Sequence, residues 1–169
     1  MHRVILASAS KYLLKVFSKH NVKKLQKVAI PEPFPTDSGK GLGKVSDDPV
    51  LKILKYIYSN QNIYKIKDEI TDANLFSLYS QAYALEMTKL LKDLTELTKT
   101  ELLNQDNCVV FYVDAIKFKN KELVKACENL MVTKFTDIQE EASEHLLKLP
   151  TEYFVALCSS DDLHLEHEN

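Results

Sequence analysis

The chain has 169 residues, of which 45% are apolar and 27% are charged, a composition typical of a globular protein rather than a disordered one. Its formal charge of −2 lacks the basic excess that is typical of nucleic-acid-binding proteins, so no nucleic-acid partner is predicted. No apolar run approaches the roughly 18 residues that span a membrane, so no membrane association is predicted. Cys108, Cys127 and Cys158 are too widely spaced for a CxxC motif. They predict reduced thiols and a cytoplasmic protein, with the nucleus as the alternative.

The first thirty residues predict two short helices and a strand. Apolar side chains within Val4–Leu6 and Tyr12–Phe17 predict the helices, which should be separated near Ser8–Ser10, where hydroxyl side chains favour helix caps. A brief β-compatible run, Leu25–Ile30, ends at Pro31. The sequence therefore predicts a short strand over these residues.

A single long connection follows the predicted strand. All three glycines and four of the five prolines lie within or beside residues 31–48. Glycine and proline interrupt regular structure, so this segment is predicted to be a loop. Asp48 can then cap a helix whose first position is Pro49, where a missing N–H removes no hydrogen bond.

The rest of the chain predicts helices. Between Thr71 and Leu103, apolar residues recur every three or four positions, which predicts two helices that each turn one apolar stripe to a core. Asn107 and Asn120 are good caps for two further helices, which we expect to form an antiparallel hairpin. Another helix is predicted to start at Pro150 and Thr151. The apolar stripe predicted between Thr71 and Leu103 is formed by Leu75, Leu78, Ala82, Leu85, Leu90, Leu94 and Leu97.

No catalytic, cofactor or metal site is predicted. The loop SGKGLGKVS places glycines beside lysine but does not match the P-loop spacing, and Val45 replaces the hydroxyl residue. His164–Glu168 (HLEHE) is not the HExxH zinc pattern. His2 is predicted to be a structural residue at a helix start, and Cys127 an inert packed thiol. The chain is therefore predicted not to be an enzyme.

Several segments together resemble one family of interaction domains. HRVILASASKYLLKVF, DDPVLKILKYIYS and LFSLYSQAYALEMTKL are similar, in this order, to segments of the BTB (POZ) domain. NCVVFYVDAIKFKNKELVKACENLMVTKF and LLKLPTEYFVALCSSDDLHLEHEN resemble the start of a BACK domain. The resemblance covers nearly the whole chain in the family's order.

The resemblance implies an α/β but mostly helical protein. It places a BTB domain, a helical cluster with a small sheet, in residues 1–105, and a partial, all-α BACK domain in residues 106–169. Many family members are adaptors that link a target protein to a cullin-RING ubiquitin ligase, so the resemblance implies protein partners, among them a cullin scaffold. The alternative is an oligomerisation or scaffold module with no role in ubiquitin transfer.

Three departures from the family weaken parts of this interpretation. Met1 directly precedes His2, where the family has a dimerising helix and a β-hairpin, so homo- or hetero-oligomerisation is less strongly implied. From Ser18 to Ile30 there is no acid, although cullin binders of the family commonly carry a hydrophobic-x-Glu motif there; Lys23 and Lys24 occupy this region. No kelch repeats follow.

Aromatic residues are the predicted partner contacts, because aromatic anchors dominate interface energies. Tyr58, Tyr79 and Tyr112 are the three candidates. The alternative for the tyrosines is packing in the core or at an interface, since they lie at helical spacing among aliphatic residues. The basic cluster of Lys19, Lys23, Lys24 and Lys27 favours a solvated face, with an acidic partner surface as the second interpretation.

Overall fold

The computed structural model describes residues 2–19, 48–141, 143–147 and 149–159. They form two compact units, Met1–Leu97 (unit 1) and Thr98–Asn169 (unit 2). Helices dominate both units, and the described ranges contain no strand, which confirms the mostly helical prediction. The small sheet is not seen: its predicted strand Leu25–Ile30 lies outside the described residues, as do loop positions 31–47 and the HLEHE segment.

Unit 1 is built from five helices and two short 3-10 turns in its described part. The helices are α1 (His2–Ala9), α2 (Lys11–Lys19), α3 (Pro49–Tyr58), α4 (Asp72–Ala84) and α5 (Thr88–Leu97), and the 3-10 turns are Ile63–Lys65 and Lys67–Glu69. Helix α3 packs against α1 and α4, and α4 packs against α5. All seven residues of the predicted apolar stripe are buried, as expected.

Side chains at the helix starts explain where these helices begin. The Ser10 hydroxyl accepts from the Leu13 N–H (3.1 Å) and so caps α2 at the predicted break after α1. The Asp48 carboxylate accepts from the Val50 N–H (2.8 Å), and Pro49 occupies the first turn of α3, as predicted. At the start of α4, the Asn74 side chain accepts from the Thr71 N–H (3.1 Å).

Unit 2 consists of one π-helical turn and five helices among its described residues. The turn is Thr98–Leu102, and the helices are α6 (Cys108–Lys117), α7 (Lys121–Thr133), α8 (Phe135–Glu141), α9 (Ser143–Leu146) and α10 (Thr151–Cys158). Helices α6 and α7 pack directly on each other. Helix α9 packs against α6, and helices α8 and α10 both pack against α7. The helix-pair prediction and the start at Thr151 are confirmed.

One of the two asparagine caps of this pair was predicted wrongly. Asn120 accepts from the Leu123 N–H (3.2 Å) and caps α7, as expected. Asn107 precedes α6 but makes no capping bond; its side chain instead accepts from the Asn104 N–H (2.9 Å) and donates to the Leu102 carbonyl (2.9 Å). The side chain therefore fixes the turn before the helix, because its oxygen is already used there.

The predicted domain boundary after residue 105 is a matter of family resemblance and stays a prediction.

Within the described ranges, no helix combines the length and apolar character needed to cross a membrane.

Candidate functional site

A groove of about 680 Å³ lies beside α3 in unit 1 and is called here the Tyr58 groove. Its walls come from α3, the second 3-10 turn and the start of α4. The lining residues are Leu51, Lys52, Leu54, Lys55, Tyr58, Asp68, Glu69, Thr71 and Asn74.

The spacing of α3 places the apolar side chains of this groove on one helix face. Leu51, Leu54 and Tyr58 recur at three and four residues, while Ile53 and Tyr56 face the core. Leu51 remains 44% exposed and Tyr58 50% exposed. Large apolar side chains that are left in solvent along one groove are the kind of surface that partner proteins cover.

Charged and polar side chains form the rim of the groove. The Lys55 ammonium donates to both oxygens of Glu69 (2.7 and 2.8 Å), which joins α3 to the second 3-10 turn. The Asn74 amide donates to the Glu69 carbonyl (3.0 Å) and so holds that turn against α4. Since both ions are partly exposed, this pair orients the rim more than it stabilises the fold.

Tyr58 is held by the first helix of the unit. Its hydroxyl shares a 2.9 Å hydrogen bond with His2 Nδ1, and the two rings meet edge to face with centroids 5.8 Å apart. His2 begins α1, which agrees with the structural role predicted for it. The bond fixes the hydroxyl end of Tyr58, while half of the side chain stays exposed.

The other two predicted contact residues are buried. Tyr79 is 5% exposed, and its hydroxyl bonds to the Thr95 hydroxyl (3.1 Å). Tyr112 is also 5% exposed, and its hydroxyl donates to Glu128 (3.1 Å). Burial, followed by the nearby Glu128 carboxylate, raises the pKa of Tyr112 well above its usual range. Of the three tyrosines only Tyr58 is exposed, and their partner-binding role stays a prediction.

The buried cysteines have the character predicted for Cys127. Cys108 and Cys127 are both free and have no exposed surface. Burial raises the pKa of the Cys108 thiol to about 11 and that of the Cys127 thiol to about 12. A thiol that keeps its proton at neutral pH is a poor nucleophile, so both act as packing groups.

The Tyr58 groove combines exposed apolar side chains with an ion pair on its rim. Sequence reasoning singled out Tyr58 but missed Leu51, Lys55 and Glu69. The three-and-four spacing from Leu51 to Tyr58 was a usable signal for the first of these. Glu69 comes from a different turn and had none. Among the described side chains, no group of three His, Cys, Asp or Glu residues is placed to hold a metal ion.

Comparison with known proteins gives one similarity and one negative result. No family model matches the chain. The chain is similar to human Kelch-like protein 6, with 26% identity over 167 residues, which is 99% of this chain and 24% of that protein. It therefore spans about a quarter of the length of the curated relative that it matches.

Proposed function

We propose that the chain is a protein-interaction adaptor with a BTB-type unit 1 and a BACK-type unit 2. The observation that carries the proposal is the similarity to Kelch-like protein 6, which extends over 99% of the chain. It is supported by the order of the segments that resemble the two domains. In this proposal the chain acts by binding proteins, in the cytoplasm or the nucleus, and is not an enzyme.

The Tyr58 groove is the proposed binding surface. An exposed tyrosine loses little conformational freedom on binding and offers a large contact area, which is why such residues are frequent interface anchors. Leu51 provides a second apolar contact, on the face of α3 that lines the groove and remains partly exposed. The Lys55–Glu69 pair on the rim can re-pair with charged groups of a partner and so select its orientation.

The finer proposal is that the partner is the scaffold of a cullin-RING ubiquitin ligase, to which the chain would link a target protein. The alternative is an oligomerisation or scaffold module without a ligase role. The alternative is supported by the lack of an acid between Ser18 and Ile30 and by Lys23 and Lys24 in that region. Lysines there would repel a cullin surface that is complementary to a glutamate.

Light-scattering chromatography of the chain, alone and mixed with the N-terminal region of a BTB-binding cullin, separates these proposals. Tyr58→Ala is expected to weaken the complex by about tenfold, because it removes a central aromatic anchor. Tyr64→Ala is the matched control, since Tyr64 is 67% exposed on the same unit but lies outside the groove. Thermal unfolding of Tyr64→Ala should stay within about 0.5 kcal/mol of the parent chain, whereas Tyr58→Ala also loses its contacts with His2 and should cost about 1 kcal/mol, so binding is measured where both variants are fully folded.

The outcomes are distinct. Co-elution that Tyr58→Ala weakens and Tyr64→Ala preserves supports the ligase adaptor and its groove. Co-elution that Tyr58→Ala does not weaken supports the adaptor proposal but rules out the Tyr58 groove as its binding surface. A folded chain that does not co-elute with the cullin rules out the ligase proposal. The mass of the chain alone then shows whether it forms oligomers, as the alternative requires.

A further inference from the structure

A second groove lies on the same unit and is lined in part by helices α1 and α2. Residues 1–31 contain seven Lys and Arg residues and no Asp or Glu, so the remaining residues carry a net charge of −9 within a chain of net charge −2. Helices α1 and α2 lie in this segment and contain four basic residues, Arg3, Lys11, Lys15 and Lys19, and no acidic one. Such an asymmetry favours a positive potential along these two helices that the overall composition conceals.

The second groove, of about 560 Å³, is called here the Leu14 groove. The residues that matter for its chemistry are Val4, Lys11, Leu14, Gln61, Glu86 and Lys89. Val4 is 73% exposed and Leu14 is 53% exposed. Two aliphatic side chains are thus left in solvent inside a concave surface, where a partner could bury them.

Hydrogen bonds between distant segments fix the walls of this groove. The Lys15 ammonium donates to both carboxylate oxygens of Glu86, each at 2.8 Å, and the Lys89 ammonium donates to the Gln61 carbonyl. Gln61 and Glu86 lie in turns with φ of 55° and 52°. A groove whose walls are already held in place loses little entropy when it binds a ligand.

The charges around the groove favour an acidic ligand. Glu86 is neutralised by Lys15, and the Lys89 ammonium lies 3.6 Å from the Asp93 carboxylate. Lys11 is exposed at the start of α2 and, within the part of the chain that the structure describes, no acidic side chain pairs with it. The groove therefore presents an ammonium group beside two aliphatic side chains.

We propose that the Leu14 groove docks an acidic segment of a partner protein, with aliphatic side chains of that segment against Val4 and Leu14 and its carboxylates near Lys11. The concave shape favours a peptide segment over an anionic membrane, because lipid binding needs apolar side chains that project outward. This surface is separate from the Tyr58 groove and does not depend on the ligase proposal.

The test is fluorescence anisotropy with a labelled peptide of repeated Glu-Glu-Leu units, with the whole chain as receptor. A Gln-Gln-Leu peptide controls for apolar binding alone. Lys11→Glu is expected to weaken binding of the acidic peptide by about fivefold or more, and Leu14→Ala by about fivefold. Raising the salt concentration should weaken binding of the acidic peptide and leave the neutral one unchanged.

Matched variants separate specific docking from general attraction. Lys65→Glu makes the same charge change at another exposed lysine of unit 1, and Leu51→Ala truncates an exposed leucine of the Tyr58 groove. Both should bind the peptide as the parent chain does. Leu14→Ala should leave cullin binding unchanged, so failure of this proposal is distinguishable from failure of the proposed function.

Three results would overturn the proposal. One is the absence of saturable binding to the acidic peptide. Another is an equal loss of affinity in Lys65→Glu and Lys11→Glu, which would indicate attraction to net charge alone. The third is binding to vesicles of anionic lipid that Leu14→Ala abolishes while the peptide does not compete, which would assign the groove to a membrane surface.

Discussion

Some side-chain hydrogen bonds of unit 1 join residues much farther apart in the chain than the bond that links the paired helices of unit 2. The Ser10 hydroxyl donates to the Leu85 carbonyl, 75 residues away, and the Tyr56 hydroxyl to Asp93, 37 residues away. In unit 2, the Tyr112–Glu128 bond links the paired helices α6 and α7 across 16 residues. Local pairs require little loop closure, so patterns in the sequence indicate them more directly.

The units also differ in charge. Residues 1–97 contain fifteen Lys and Arg against ten Asp and Glu, whereas residues 98–169 contain seven against fourteen. Electrostatic attraction of an acidic partner is therefore expected of unit 1, and repulsion of it by unit 2. An acidic partner should therefore bind to surfaces of unit 1 more tightly than to surfaces of unit 2.

The largest effect expected from the contrast is a loss of stability of unit 2 in mild alkali. Cys108 and Cys127 ionise near pH 9 when unfolded, but their pKa values are about 11 and 12 in the fold. The unfolded state therefore releases protons first. The stability that these thiols provide is complete below pH 9 and is lost as the pH rises through their folded pKa values. At pH 10 the loss is about 3 kcal/mol for the two together.

Methyl NMR during urea unfolding under reducing conditions can measure this effect in each unit. Met87 and Met131 are buried, one in each unit, and serve as the reporters. Between pH 9 and 10 the transition seen by Met131 should move to lower urea than that seen by Met87. Above pH 10 tyrosines contribute as well. A double variant, Cys108→Ala with Cys127→Ala, should be less stable throughout but nearly flat over this interval; an equally steep response would contradict the assignment to thiols.

A smaller effect is expected from the long-range bonds of unit 1. Ser10 is 1% exposed, and its hydroxyl both donates to the Leu85 carbonyl (2.6 Å) and caps α2 at Leu13. Ser10→Ala should cost about 2 kcal/mol, because it leaves a buried carbonyl without this partner and removes a cap. Denaturation in urea measures the change.

Ser18→Ala is the control for this substitution. Ser18 lies near the end of α2, is exposed, and donates only to the nearby Lys15 carbonyl (3.0 Å). Its replacement should change stability by less than about 0.5 kcal/mol. Equal costs at the two serines would mean that the contact with Leu85 contributes nothing to unit 1.

The smallest effect tests the tight link between α6 and α7. Lys119 has φ of 54°, a left-handed conformation that glycine adopts without steric cost. Lys119→Gly should therefore raise stability by up to about 1 kcal/mol, whereas Lys125→Gly in the exposed face of α7 should lower it by about 1 kcal/mol. The two substitutions should shift the thermal unfolding temperature in opposite directions. A loss of stability at both positions would show that the left-handed backbone conformation of Lys119 has no steric cost that glycine relieves.

Helix starts and apolar stripes could be predicted from the sequence, but partnerships between segments could not. Asp48 with Pro49, and Asn120, act locally and were placed correctly. Asn107 failed because its side chain bonds backward into the preceding turn, a choice that depends on the fold of that turn. Tyr58, Tyr79 and Tyr112 looked equivalent in the sequence, yet only Tyr58 is exposed.

The sequence by itself determined the mostly helical character, the break between α1 and α2, the helix pair α6–α7 and the basic character of residues 1–31. These depend on periodicity, capping chemistry and charge, which act over a few residues or simply add up. Only the tertiary structure decided that Lys15 reaches Glu86, that Lys55 reaches Glu69, and that two grooves result. Such contacts join segments 71 and 14 residues apart, and their geometry follows from core packing rather than from any local pattern.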